Sequence, residues 1–196
     1  MRPLALAITG GIGAGKSEAL AAFGRRGIPV VSSDEIVHGL LRDDPEIRAA
    51  VAERFGTRVL AEDGAVDRTA LAEVVFGDAE ALAWLEALLH PRVAAAQLDW
   101  RERLARLPEP PPVCVTEVPL LYETGGEARF DEVLLISAPE ELRAARAGSR
   151  AAQRGKRFLP EEEKRRRARF VYVNDGTLEE LDAFVGGVLG ELADRG

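Results

Sequence analysis

Eight consecutive residues near the start of the chain match the pattern G-x-x-x-x-G-K-[ST] in full: Gly10-Gly11-Ile12-Gly13-Ala14-Gly15-Lys16-Ser17. The stretch follows a short apolar run, residues 4–8, and precedes a helical pattern. Glycines allow phosphate oxygens to approach the backbone closely and let successive N–H groups turn inward. Between a strand and a helix, this pattern predicts a phosphate-binding loop.

The loop pattern also predicts the ligand and the role of each residue. Lys16 should be exposed in the loop and bridge the β- and γ-phosphates of a nucleoside triphosphate, while the Ser17 hydroxyl should ligate Mg²⁺. The alternative is a glycine-rich turn with one exposed lysine, which is disfavoured by four glycines in register with Lys and Ser. The expected nucleotide-binding residues are Gly11, Ile12, Gly13, Ala14, Gly15, Lys16 and Ser17.

Length and composition are typical of one globular domain with inserted subdomains, with 196 residues of which 46% are hydrophobic. Cys114 is the only cysteine, so no intrachain disulfide can form, and its apolar neighbours predict a buried thiol. We therefore expect a reducing, cytoplasmic location. No apolar stretch reaches the length of a membrane span, so we expect no membrane association.

Charge is distributed unevenly along the chain. The formal net charge of −7 argues against a nucleic-acid partner, yet residues 143–169 hold eleven Lys or Arg and only three Glu. This basic segment is either a solvated helix face or a phosphate-facing lid, and the phosphate-binding loop favours the lid. Its arginines should repel one another in the free protein, and a bound triphosphate should draw Arg146 and Arg150 inward.

Five β-like runs separated by helical patterns predict the fold class. The continuous apolar runs at residues 113–118 and 133–136 are typical of buried parallel strands. Parallel strands need right-handed crossovers, which cover both faces of the sheet with helices. The pattern predicts an α/β, three-layer phosphate-loop NTPase fold with a five-stranded parallel sheet, a helical substrate-binding insertion and a lid.

The same patterns predict the domain boundaries. The nucleotide-binding core is expected at residues 1–43 and 109–196, with the lid at about 140–168 and a helical acceptor-binding insertion at 44–108. Within the insertion, Asp44, Asp67 and Asp78 are expected to cap helices, and Pro91 is expected to begin another helix.

Acidic residues follow two of the predicted strands. Asp34 comes after the second β-run and Glu117 lies at the end of the third. The carboxyl ends of parallel strands form the edge at which open α/β sheets bind ligands. Asp34 is therefore favoured as a site residue over a simple helix cap. For Glu117 a role with Mg²⁺ or a substrate hydroxyl and simple exposure remain equal alternatives.

The two histidines are weaker candidates. His38 lies one helical turn beyond Asp34, and His90 precedes Pro91. Each could contact a substrate phosphate, but an isolated histidine is more often structural, and we keep that interpretation for His38. Neither indicates a metal site.

Taken in order, the motifs of the chain resemble those of the dephospho-CoA kinase family, and the resemblance covers nearly the whole chain. They are Ile8-Thr9 with the phosphate-binding loop, Ser33-Asp34-Glu35-Ile36-Val37-His38, Asp67-Arg68 with Val75-Phe76, Leu88-Leu89-His90-Pro91, Pro119-Leu120-Leu121-Tyr122-Glu123 and Asn174-Asp175-Gly176.

The resemblance implies ATP-dependent phosphorylation of the 3′-hydroxyl of dephospho-coenzyme A, the final step of coenzyme A biosynthesis. It implies that Asp34, Lys16, Arg146 and Arg150 act in catalysis and that Thr9, Asp34, His90 and Glu117 bind substrate. Three departures from the family pattern stand out. First, Ser32 stands where the family usually has an acidic residue. Second, the lid is several residues short, and Phe158 and Arg169 stand where a glutamine and an aspartate are usual. Third, Arg146 and Arg150 align with the paired lid arginines of the family only after a shift of one residue.

Other functions remain as alternatives. A nucleoside, nucleotide or other small-molecule kinase of the same architecture would differ only in its acceptor site. A GTPase switch is disfavoured because no [NT]-K-x-D motif occurs, and an RNA-binding role because the basic segment lacks interleaved aromatics. We expect ATP and dephospho-coenzyme A as small-molecule partners and find no sign of an obligate protein partner.

Overall fold

The computed structural model describes residues 2–147 and 159–193, and five strands form one sheet in the order β2-β3-β1-β4-β5. Every neighbouring pair is parallel. The predicted α/β fold with a five-stranded parallel sheet is therefore confirmed. The strands are β1 (Leu4–Thr9), β2 (Val30–Ser32), β3 (Val113–Glu117), β4 (Glu132–Ser137) and β5 (Phe170–Val173).

Helices connect and cover these strands. The chain divides into two compact units. The first consists of Met1–Ser32 and Trp100–Gly196, and the second consists of Ser33–Asp99. The helices are α1 (Lys16–Arg25), α2 (Ser33–Asp43), α3 (Pro45–Phe55), α4 (Arg68–Phe76), α5 (Ala79–Ala105), α6 (Glu140–Ala147), α7 (Glu161–Arg167) and α8 (Leu178–Ala193).

The three central strands of the sheet, β3, β1 and β4, are buried on both faces, which explains why they are continuous apolar runs. Leu6 and Ile8 of β1 pack with Phe23 of α1 and with the apolar side of α8. Ala7 faces the opposite side, because side chains alternate along a strand, and joins a second cluster. That cluster contains Val118, Leu121, Tyr122 and Val133. Helices and loops on both faces give the three predicted layers.

The carboxyl ends of three adjacent strands lie at one edge of the sheet. Glu117 of β3 is in register with Ile8 of β1 and with Ser32 of β2, and Thr9 of β1 is in register with Leu135 of β4. The phosphate-binding loop leaves β1 at this edge. The fold thus places the loop where open α/β sheets bind their ligands.

The second unit is helical and has a core of its own. The three predicted caps are confirmed, because Asp44, Asp67 and Asp78 each accept backbone N–H bonds from the following turn. The buried residues of this unit are Leu41, Ile47, Val51, Val59, Val66, Leu71, Val75, Ala81, Leu85 and Leu89.

The helical unit begins and ends earlier than the predicted insertion at residues 44–108. α2 belongs to it because Leu41 packs into its core, and the division falls within α5, after Asp99. The prediction that Pro91 begins a helix is wrong. Pro91 lies inside α5, whose apolar and alanine-rich sequence maintains the helix on both sides of a residue that cannot donate a backbone hydrogen bond.

The described parts of the predicted lid are α6 and α7, and Arg150 and Phe158 lie outside the described residues. In the described part of the basic segment, glutamates pair with five of the seven basic residues, which reduces the repulsion expected among them. The ion pairs are Arg143–Glu161, Lys164–Glu123, Arg165–Glu161, Arg167–Glu127, Arg167–Glu163, Arg169–Glu132 and Arg169–Glu191. The expected movement of Arg146 and Arg150 toward a bound triphosphate stays a prediction.

Candidate active site

Three glycines of the phosphate-binding loop adopt positive φ angles, 149° at Gly10, 74° at Gly13 and 97° at Gly15. A Cβ atom on each would lie 2.0 Å from the Ile136 carbonyl oxygen, 2.4 Å from the Arg143 carbonyl oxygen and 2.0 Å from Asn174 Nδ2, respectively. Side chains are therefore excluded by backbone conformation and by space at the same positions. The end of β4, helix α6 and Asn174 enclose the loop.

Lys16 is the first residue of α1, and its side chain folds back over the loop. Its Nζ atom lies 3.0 Å from the Gly11 carbonyl oxygen, and the residue is only 9% exposed. The expectation of an exposed lysine is therefore wrong, because the ammonium group bonds to the loop itself. No side chain caps α1, whose N-cap is Gly15. A cation and a helix N-terminus thus meet at one loop, an arrangement that suits a polyphosphate.

Ser17 and Glu117 bring two oxygen donors together beside the loop. Ser17 Oγ lies 3.4 Å from Glu117 Oε2, and Glu117 is 6% exposed, so simple exposure is excluded for this carboxylate. Mg²⁺ is usually held by one or two carboxylates and by substrate phosphates rather than by a full protein cage. The pair fits that chemistry. Within the described ranges, no group of three or more His, Cys, Asp or Glu could hold a metal ion.

Thr9, predicted to bind substrate, has no exposed surface. Its hydroxyl lies 3.4 Å from the Pro119 carbonyl oxygen, with which it forms a long hydrogen bond. A direct contact between this side chain and a substrate is therefore not available in this conformation.

Asn174 joins the loop to the end of β5, a role that the sequence analysis missed. Its Nδ2 donates to the Ala14 carbonyl at 2.9 Å, and its backbone N–H donates to the Ser137 carbonyl at 2.7 Å. Its own carbonyl accepts from Arg146 Nη1 at 3.2 Å. One buried residue thus connects the loop with the predicted lid arginine. The available signal in the sequence was a polar residue directly after a strand.

Glu161 anchors α7 beside the same edge, and the sequence analysis missed it as well. Its Oε1 accepts from Ser137 Oγ at 2.5 Å, and its Oε2 lies 3.8 Å from Arg143 Nη1. Ser137 is the last residue of β4. No sequence pattern marked Glu161, because it is one of three consecutive glutamates.

The helical unit contains the remaining predicted residues. Asp34 is exposed in the first turn of α2, two residues after Ser32. His38 lies on the same face of α2 one turn later, and its Nδ1 is 3.2 Å from Arg68 Nη1. Since arginine can only donate, Nδ1 is the acceptor. His90 is exposed within α5.

Comparisons with known proteins agree on one family. Residues 4–180 match the family model for dephospho-CoA kinase. A dephospho-CoA kinase of Paramagnetospirillum magneticum is 48% identical over 147 residues, which are 74% of this chain and 66% of the relative. One of Mesorhizobium japonicum is 38% identical over 198 residues, with 96% of each chain covered. The crystal structure of TT1252 from Thermus thermophilus gives a TM-score of 0.69 at 38% identity, covering 98% of this chain and 99% of that one.

Proposed function

The chain belongs to the dephospho-CoA kinase family, and we propose that it transfers the γ-phosphoryl group of ATP to the ribose 3′-hydroxyl of dephospho-coenzyme A. The products are coenzyme A and ADP, and the reaction is the final step of coenzyme A biosynthesis. The observation that carries the proposal is the loop of residues 10–17, where three glycines with positive φ precede a lysine held over the loop.

Lys16 and the backbone of the loop bind the β- and γ-phosphates in this proposal. The Lys16 ammonium exchanges its contact with the Gly11 carbonyl, 3.0 Å long, for contacts with phosphate oxygens. Phosphoryl transfer requires little covalent chemistry from the protein, so that positioning and charge neutralisation supply most of the rate. Arg146, held by the Asn174 carbonyl, and Arg150 add positive charge at the transferred group.

Asp34 acts as the general base in this proposal and accepts the proton of the 3′-hydroxyl. The support is its position two residues after the carboxyl end of β2, together with its exposure in the first turn of α2. Asp34 is exposed, so a substrate hydroxyl can reach it from solvent, whereas Glu117 is buried beside Ser17.

When bound, Mg²⁺ would neutralise negative charge on the β- and γ-phosphates. We propose that the Ser17 hydroxyl and the Glu117 carboxylate hold it, directly or through water. The support is the chemistry of this oxygen pair, which matches the preference of Mg²⁺ for a few protein oxygens.

The helical unit, Ser33–Asp99, recognises the acceptor in this proposal, since the first unit contains the nucleotide loop. His90 is proposed to contact dephospho-coenzyme A because its side chain is exposed. We also propose a cytoplasmic location, supported by a single cysteine that is buried as a free thiol. No helix in the described ranges is long and apolar enough to span a membrane.

An acceptor panel tests the proposal. Initial rates of ADP formation are measured with dephospho-coenzyme A, adenosine, AMP and shikimate, each with ATP and Mg²⁺. We expect turnover with dephospho-coenzyme A alone, its loss in Lys16→Ala, and a raised KM for dephospho-coenzyme A in His90→Ala. Equal rates with adenosine or AMP would favour the nucleoside or nucleotide kinase alternative. A Lys16→Ala variant with activity within a few-fold of the parent would contradict the role of the loop.

A further inference from the structure

We propose that Arg143, in α6, is a phosphate-binding residue of the ATP site in addition to Lys16, Arg146 and Arg150. This inference rests on the proposed function in one respect only, namely that the loop binds ATP. Neither the loop pattern nor the resemblance in sequence singles out Arg143.

The position of Arg143 is fixed against the loop at two points. A Cβ atom on Gly13 would lie 2.4 Å from the Arg143 carbonyl oxygen, and a Cβ on Gly11 would lie 2.6 Å from its Nη1. The guanidinium therefore rests on the loop backbone itself. Its backbone N–H donates to the Pro139 carbonyl at 3.0 Å, an i→i−4 bond that places Arg143 in the first turn of α6.

The hydrogen-bonding capacity of Arg143 is not met by the described residues. Its Nε is buried and has no hydrogen-bond partner among them. Its ion pair with Glu161 Oε2 spans 3.8 Å, too long for a hydrogen bond. A guanidinium carries five N–H donors, and a buried donor without an acceptor is unfavourable. The exposed part of the guanidinium carries further N–H donors, which phosphate oxygens at the loop can reach.

Glu161 holds the guanidinium in place without saturating it. Its Oε1 is already engaged by Ser137 Oγ at 2.5 Å and by Arg165 Nη2 at 3.6 Å. Glu161 thus has competing partners, while the Arg143 side chain keeps 31% of its surface exposed. The arginine is both oriented and accessible to an anion. Bidentate contacts of guanidinium with phosphate are among the stronger hydrogen bonds in proteins.

Arg143 and Arg146 lie three residues apart and therefore on one face of α6. Arg146 Nη1 bonds to the Asn174 carbonyl, and Asn174 Nδ2 bonds to the Ala14 carbonyl of the loop. This face of α6 thus contacts the loop directly through Arg143, and Arg146 is linked to the loop through Asn174.

Binding of the non-hydrolysable analogue AMP-PNP with Mg²⁺, measured by calorimetry, tests the proposal. We expect Arg143→Ala to weaken AMP-PNP binding by about tenfold to a hundredfold, since a charged hydrogen bond is typically worth one to two factors of ten. Binding of dephospho-coenzyme A should stay within twofold of the parent. Arg143→Lys should give an intermediate loss, because it keeps the charge but not the planar fork. The matched control is Arg165→Ala, which also removes a partner of Glu161 but no contact with the loop, and should bind AMP-PNP like the parent.

A purely structural role gives a different result. If Arg143 only braces the loop through Glu161, then Glu161→Gln should weaken AMP-PNP as much as Arg143→Ala, and Arg143→Ala should also lower the midpoint of thermal unfolding of the free protein. Either that pattern or unchanged AMP-PNP binding in Arg143→Ala overturns the proposal. AMP-PNP binding requires no acceptor, so this result is separate from the identity of the acceptor.

Discussion

The ammonium group of Lys164 lies 2.6 Å from Oε1 of Glu123, and the two side chains keep only 3% and 10% of their surface exposed. The same oxygen accepts the backbone N–H of Leu159 at 2.9 Å. Glu123 follows β3 in the chain and Lys164 lies in α7. The pair therefore attaches α7, and with it Glu161, to the turn segment that follows β3.

Removal of one member of this pair should be strongly destabilising. Glu123→Ala leaves a buried ammonium without its carboxylate, and we expect a loss of about 3–5 kcal/mol in the free energy of unfolding. The measurement is urea denaturation followed by circular dichroism. The double variant Glu123→Leu/Lys164→Met should recover much of the loss, because an apolar pair leaves no charge buried. As a control, Glu102→Ala removes the exposed pair with Arg106 and should cost less than about 1 kcal/mol. If Glu123→Ala also lowers the free energy of unfolding by less than about 1 kcal/mol, the role of the buried pair is contradicted.

Asn174 should affect ATP binding through the shape of the loop. Asn174→Ala removes the donor to the Ala14 carbonyl, which is 2.9 Å away, and should raise the KM for ATP. Asn174→Asp should be worse than Asn174→Ala, since it places a carboxylate oxygen against a carbonyl oxygen and a negative charge beside the phosphates. The KM for dephospho-coenzyme A provides the internal control and should change little. An Asn174→Asp variant that binds ATP better than Asn174→Ala would refute this account.

Asp34→Asn tests the proposed general base. The substitution keeps the shape of the side chain and removes the acceptor charge, and positioned acid–base groups typically contribute about 10² to 10⁴ in rate. We expect kcat to fall by a factor in that range while the affinity for ATP stays nearly unchanged. Glu35→Gln, a change of the neighbouring exposed carboxylate, is the matched control. If ATP affinity collapses instead, Asp34 organises Mg²⁺ or its helix, and if kcat barely changes, no general base is needed at this position.

Cys114 should make stability fall in mildly alkaline solution. Burial raises the pKa of its thiol from 9.0 to about 11. Below pH 9 the thiol is protonated in both states, and from about pH 9 to about pH 11 only the unfolded chain loses the proton, so unfolding becomes easier as pH rises. Cys114→Val should show a smaller decrease in the free energy of unfolding between pH 8 and pH 10. The native thiol should also react with a disulfide reagent at pH 8 only after urea is added, and rapid reaction in the native state would contradict its burial.

Periodicity and local chemistry were sufficient to predict the framework of the first unit. The apolar runs predicted β3 and β4 because buried parallel strands need no polar face. The caps of the helical unit, Asp44, Asp67 and Asp78, follow from local chemistry as well, because an aspartate before a helix accepts the first N–H groups of that helix. These features depend on residues close together in sequence.

The parts of the site that were not predicted depend on contacts between distant residues. Asn174 meets Ala14 across 160 positions, and Glu161 meets Ser137 across 24. No spacing rule connects such residues. The prediction at Pro91 failed for a different reason. A proline often marks the start of a helix, but here helix-forming residues continue on both sides of it and the helix passes through.

The most direct measurement follows the labelled phosphoryl group. ATP carrying ¹⁸O in its γ-phosphoryl group is incubated with dephospho-coenzyme A, Mg²⁺ and the protein, and the products are identified by mass spectrometry and ³¹P NMR. The account predicts coenzyme A with the labelled phosphoryl group on the ribose 3′-oxygen and one ADP for each coenzyme A formed, with no product from Lys16→Ala. ADP without coenzyme A, or a phosphoryl group on any other oxygen of the acceptor, would contradict it.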